Sequence, residues 1–143
     1  MFEFLSCAFP SFGNPTTMST PTAPRKYDLE ERLIDFAVMI IDLEEGLPST
    51  KAATHLGGQL LRSGTSPALN YGEAQAAESK KDFIHKIKIV LKELRESHIC
   101  IRIMERKGMH KDAALIGRVK GECQELVRIF IKSVGTATQS SNA

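Results

Sequence analysis

Apolar side chains recur at steps of three and four residues in four separate stretches of this 143-residue chain, and that recurrence limits the fold more than any other feature. The first row is Leu29, Leu33, Phe36, Ile40 and Leu43. Such steps hold a row on one side of an α-helix, because successive side chains turn by about 100°. Asp28 can cap this helix at its start, and Gly46 with Pro48 stops it. Ile34, Val38 and Ile41 make a second stripe, well around the same cylinder. One stripe serves a core, while the other needs cover from a neighbouring helix or from a partner.

Ser49 or Thr50 caps a second helix that carries Ala52, Ala53, Leu56, Leu60 and Leu61 and runs toward Glu73. Pro67 falls inside it, removes the hydrogen bond to the Ser63 carbonyl, and predicts a kink or a division near residues 64–66. Ser79 caps the third and longest helix, with Asp82 placed to complement its positive end. Its core stripe is Phe83, Ile87, Val90, Leu91, Leu94, Ile101 and Met104, with Ile89, Ile99, Cys100 and Ile103 largely outside it. Gly108 ends this helix, and Asp112 opens a fourth with Leu115, Val119, Cys123, Leu126, Val127, Phe130 and Val134, closed by Gly135. With no trustworthy strand alternation, the economical architecture is an all-α, up-down antiparallel four-helix bundle over residues 27–136.

The flanks read differently. Residues 1–26 are rich in Pro, Ser and Thr and lack helical periodicity, so a disordered tail is expected there, with a second short one at 137–143. Met18 also opens a stretch that looks like a translation start, which leaves Met1 and Met18 as alternatives. Cys7, Cys100 and Cys123 are odd in number and lack metal or disulfide spacing, as expected for reduced thiols in the cytoplasm. No apolar run is long enough to cross a membrane, so no membrane partner is expected.

Charge is unevenly placed. Residues 1–50 hold three basic and eight acidic side chains and residues 51–143 sixteen and nine, a net −5 against +7. Lys80, Lys81, Lys86, Lys88, Lys92 and Arg95 cluster on the third helix, and Arg102, Arg106, Lys107 and Lys111 continue the run. Without interleaved aromatics to stack bases, such a cluster suits salt-sensitive contact with RNA or DNA backbone, or simply a solvated face. A second constellation, Gln59, Arg62, Ser66, Asn70 and Glu73, shares one face of the second helix. It reads as a polar network fixing helix register, or as the wall of a ligand or partner pocket. Phosphate-loop, dinucleotide and hydrolase signatures fail, and Asp82 and His85 form one Asp-x-x-His where a di-metal bundle needs paired Glu-x-x-His motifs. His55, His85, His98 and His110 otherwise lack metal spacing, so no catalytic residue, metal or cofactor is assigned.

The stretch from Gln59 to Ala74, then Lys81-Asp-Phe-Ile and Leu91-Lys-Glu-Leu-Arg-Glu-Ser, resembles the family of the 23S rRNA intervening-sequence protein over residues 28–135. Gln59, Leu60, Arg62, Ser66, Asn70, Glu73, Phe83, Glu93 and Leu94 stand at the matching positions, while Pro67, Tyr71 and Ala74 depart from the pattern. The resemblance implies a non-enzymatic up-down bundle, often a ring-shaped homopentamer. Related accessory factors of diversity-generating retroelements imply RNA, DNA or a nucleic-acid enzyme such as a reverse transcriptase as partner. A protein-interaction scaffold without nucleic acid is the alternative.

Overall fold

The computed structural model describes residues 28–142. Four helices occur in chain order: α1 (Leu29–Glu45), α2 (Lys51–Gln75), α3 (Lys80–Lys107) and α4 (Ala113–Ser141). Each starts on a residue whose side-chain oxygen accepts a backbone N–H three positions on. Asp28 takes that of Glu31 at 3.3 Å, Thr50 that of Ala53 at 3.2 Å, Ser79 that of Asp82 at 3.1 Å and Asp112 that of Leu115 at 3.0 Å. Such caps contribute about 1 kcal/mol each. Gly108 ends α3 in the left-handed region at φ 67°, where a side chain would be strained.

Short connections fold the helices up and down. α1 and α3 each pack between α2 and α4, so α1 and α3 stand on one diagonal of the bundle. At one end the His110 ring covers Gly46 so closely that any side chain there would collide with it. The ring is held by its Nδ1, which accepts the Asp112 N–H at 2.9 Å. The two loops at that end are thereby keyed together.

The core is aliphatic with three buried aromatic rings, Phe36, Tyr71 and Phe130. Leu33, Phe36, Ile40 and Leu43 of α1, Leu60 of α2, Val90, Leu94, Ile101 and Met104 of α3, and Val119, Leu126 and Phe130 of α4 are fully buried. Each such side chain contributes about 1.5–3 kcal/mol through removal from water. Tyr71 meets Phe130 edge to face, with ring centroids 5.7 Å apart. α2 sits close to both neighbours because its inner positions are small. A Cβ added at Gly64 would stand 2.6 Å from Ile40, and the Ser63 hydroxyl lies 2.9 Å from that of Ser97 on α3.

The structure corrects the sequence reading in three places. α2 is not divided: Pro67 is buried within one continuous helix. Packing on Ile40 and Ser97 holds the turn before the proline, and the turns around it are tied by Thr65 Oγ1 donating to the Leu61 carbonyl at 2.7 Å and Asn70 Nδ2 to the Ser66 carbonyl at 3.0 Å. α4 does not close at Gly135 and runs on to Ser141, so part of the expected 137–143 tail is helical. Gly135 keeps a negative φ and does not make the left-handed turn that ends α3 at Gly108. Val134 just before Gly135 and Ala137 beyond it pack on the core, and the Ser133, Thr138 and Ser140 hydroxyls donate back to helix carbonyls. Cys100, expected outside the core stripe, is 7% exposed because it turns into the α2–α3 seam near Arg62 and Glu96. The expected 1–26 tail lies outside the described residues.

Candidate functional site

α3 has two neighbours in the bundle and therefore one outer face. At 100° per residue, Lys81, Lys88, Lys92, Arg95, Arg102 and Arg106 fall within an arc of about 80° and extend along about 37 Å of helix. All six are exposed or half-buried at the surface. The carboxylates of α3, Asp82, Glu93, Glu96 and Glu105, fall outside that arc. Among the described residues none of the six cations is ion-paired. The face thus carries positive charge that no ion pair among the described residues neutralises.

Two of the lysines expected in this cluster stand elsewhere. Lys86 turns toward α2, where its Nζ donates to Glu73 Oε2 at 2.6 Å, and that hydrogen bond chiefly raises the Lys86 pKa. Lys80, the first residue of α3, is half-buried and off the arc. Arg102 and Arg106, read at first as a mere continuation, are full members of the face; their helical phase with Lys88 and Arg95 is the signal that places them. Ile99 and Ile103 lie among them, 50% and 44% exposed, and with the two arginines they line a shallow hollow of about 190 Å³.

The polar line of α2 follows the α2–α3 seam. Arg62 donates to Gln59 Oε1 at 2.9 Å and to Glu96 Oε1 at 2.6 Å, and its other terminal nitrogen lies 3.7 Å from Glu93 Oε2. Asn70 Nδ2 donates to Ser66 Oγ at 2.8 Å, and Glu73 is taken by Lys86. The line is half-open to solvent, with the Arg62 and Glu73 side chains 58% and 61% exposed, so it is a surface clasp rather than an interior network. Its members bond to one another and to α3.

Elsewhere the titratable groups serve packing. Burial, and then the charges of Arg102 and Lys120, lower the His98 pKa. Burial pushes the Cys123 thiol up to about 12, and its Sγ donates to the Leu94 carbonyl at 3.3 Å. Burial also raises Cys100. Arg32 of α1 grips Glu122 of α4 through Nε at 2.6 Å and a terminal nitrogen at 3.1 Å, beside an open hollow of about 390 Å³.

Comparison with known proteins agrees with this architecture. The chain is similar to a protein of unknown function from the S23 ribosomal protein family of Bacteroides thetaiotaomicron, known from its crystal structure, with a TM-score of 0.68 and 28% identity. The match covers 74% of this chain and 97% of that one. Comparison with functionally curated proteins gives no match. A sequence profile described as "23S rRNA-intervening sequence protein" matches residues 25–132, and with four antiparallel helices and the Gln59-to-Glu73 clasp in place, the chain belongs to that family.

Proposed function

We propose that this protein is a self-associating helical bundle of the cytoplasm that binds RNA or DNA backbone through the outer face of α3 and performs no catalysis. The observation that carries this reading is the run of cations from Lys81 to Arg106, without ion pairs among the described residues, in one arc of α3 free of that helix's carboxylates. A polyanion with regularly spaced charges suits such a stripe, and the lack of aromatic side chains in it favours phosphate contact over base reading. The free, buried thiols of Cys100 and Cys123 suit a reducing compartment. The test is a binding titration against a mixed RNA pool at rising salt. Four phosphate contacts per protomer lower affinity about 50-fold between roughly 50 and 200 mM salt. Binding that ignores salt would sink the proposal.

A second reading has its own observation. Ile99 and Ile103 expose apolar surface inside the basic face, which suits a protein partner better than a phosphate. A nucleic-acid enzyme such as a reverse transcriptase fits there as well as a plain scaffold role. A pull-down that survives nuclease treatment separates this reading from the first.

A further inference from the structure

The phenylalanines of this chain are unevenly placed. Four of the seven, Phe2, Phe4, Phe9 and Phe12, fall within the first twelve residues. The other three belong to the bundle, where Phe36 and Phe130 are fully buried and Phe83 packs against the core. Segments that remain outside any packed structure are poor in aromatic side chains, because rings gain from burial. Four rings and Leu5 in twelve residues therefore call for cover. Residues 1–24 carry a single charged side chain, Glu3, before Arg25 and Lys26 lead into α1.

A surface of matching chemistry lies on the helix that this segment joins. Ile34, Val38 and Ile41 of α1 are 42%, 50% and 39% exposed. At 100° per residue they share an arc of about 60° on the side opposite Leu33, Phe36, Ile40 and Leu43. The other exposed aliphatic side chains suit the segment less: Leu69 and Ile131 stand singly, and Ile99 and Ile103 sit among cations across the bundle diagonal. The α1 stripe begins six residues beyond Asp28 and ends thirteen beyond it, about 9–20 Å along the helix. Residues 13–27 can span about 50 Å when extended, so the aromatic stretch reaches the stripe of its own helix with chain to spare.

Charge agrees with that course. Glu30, Glu31, Asp35, Asp42 and Glu45 are exposed on α1 and, among the described residues, have no ion pair. Arg25 and Lys26, a few residues ahead of Glu30 and Glu31, draw the connecting chain along α1 rather than away from it. Glu3 has a cation to answer it in Arg118 of α4, which is exposed, has no ion pair among the described residues, and lines the α1–α4 hollow with Asp35 and Met39.

We propose that residues 2–12 fold back over the outer face of α1 of the same chain, where Phe2, Phe4, Phe9 and Phe12 cover Ile34, Val38 and Ile41. The inference is independent of the α3 reading, whose face lies across the bundle. Tethering makes the contact intramolecular, at an effective concentration of about a millimolar, so a weak apolar contact suffices to hold it. The alternative start at Met18 then acquires a consequence. A chain begun there lacks all four rings and leaves the α1 stripe open, so the two starts yield proteins with different surfaces.

The test uses the full chain and its native Cys7, which lies between Phe4 and Phe9, while Cys100 and Cys123 are buried. Val38→Cys and, as control, Leu69→Cys are each treated with a short bis-maleimide, and the linked peptides are identified by mass spectrometry. Cys7 should link within one chain to Val38→Cys at least tenfold faster than to Leu69→Cys, at a rate that does not change on dilution. Replacing the four phenylalanines by serine should remove that advantage. The same variant, and a chain of residues 18–143, should both bind an apolar dye such as ANS several-fold more strongly than the full chain. Equal linking rates at the two positions, or dye binding unchanged by loss of the rings, overturns the proposal. Links that form only between copies and fade on dilution overturn it as well, because a second copy would then be the occupant.

Discussion

Gly64 of α2 lies against Ile40 of α1 so closely that an added Cβ would stand 2.6 Å from Ile40 Cγ1 and 3.1 Å from its Cβ. Ile40 is fully buried and branched, so it has no flexible end to move aside. Gly64→Ala is expected to destabilise the bundle by about 1–3 kcal/mol, despite the better helix propensity of alanine. Gly58 is the internal control. It lies in the same helix, is exposed, and has no atom within 4 Å of an added Cβ, so Gly58→Ala should stabilise by up to about 1 kcal/mol. Urea denaturation of both variants checks the opposed signs, and equal signs would refute the packing account.

The Ser63 and Ser97 hydroxyls, 2.9 Å apart and buried, form a short relay that ends on the Glu93 carbonyl at 3.0 Å from Ser97. Ser63 has a second, longer option in the Leu60 carbonyl at 3.5 Å. Removing either hydroxyl therefore leaves the other with an acceptor in its own helix. Single alanine variants should cost about 1 kcal/mol each, and a double-mutant cycle should give a coupling of about 0.5–1 kcal/mol. A coupling near zero would mean the helices approach for packing reasons alone.

Stability should be greatest from near neutrality to about pH 9 and fall on both sides. Cys123 titrates at about 12 when folded against a usual 9.0, so between those values the unfolded chain has lost a proton that the folded one keeps. Stability then declines with rising pH by about 1.4 kcal/mol per unit, and the raised Cys100 adds in the same direction. His98 has the opposite sign. Its folded pKa lies below 6.5, so as pH falls through 6.5 the unfolded chain takes up a proton first and the fold loses stability. Denaturation midpoints from about pH 5 to about pH 11 read both limbs, with Cys123→Ala flattening the alkaline one and His98→Gln the acid one.

How far the sequence discloses this molecule depends on whether a feature is local. Asp28, Ser79, Gly108 and Asp112 act within one turn of themselves, so their positions mark helix ends without any knowledge of neighbours. Pro67 and Gly135 are local signals that tertiary packing overrides, through Ile40 and Ser97 in one case and Val134 and Ala137 in the other. The basic cluster is visible as composition on α3. What composition hides is direction: Lys86 and Lys88 are two residues apart, yet one faces Glu73 and the other solvent. Helical phase alone separates them, but which phase points outward is decided by where α2 and α4 lie.

That separation gives the sharpest check on the α3 face. Lys86 is already occupied by Glu73 at 2.6 Å, whereas Lys88 is exposed and has no ion pair among the described residues. A cation held by a carboxylate has little charge left for a phosphate, and freeing it forfeits the existing pair. Lys88→Ala should therefore weaken RNA binding several-fold at low salt and reduce the slope of log affinity against log salt by about 0.7–0.9 for each phosphate it no longer neutralises. Lys86→Ala should leave that slope unchanged. Its ion pair is solvent-exposed, so the variant should unfold at nearly the same denaturant midpoint as the parent. Fluorescence anisotropy with a short single-stranded RNA at several salt concentrations distinguishes the two variants. Equal losses would mean that binding follows net charge rather than the orientation of the α3 face.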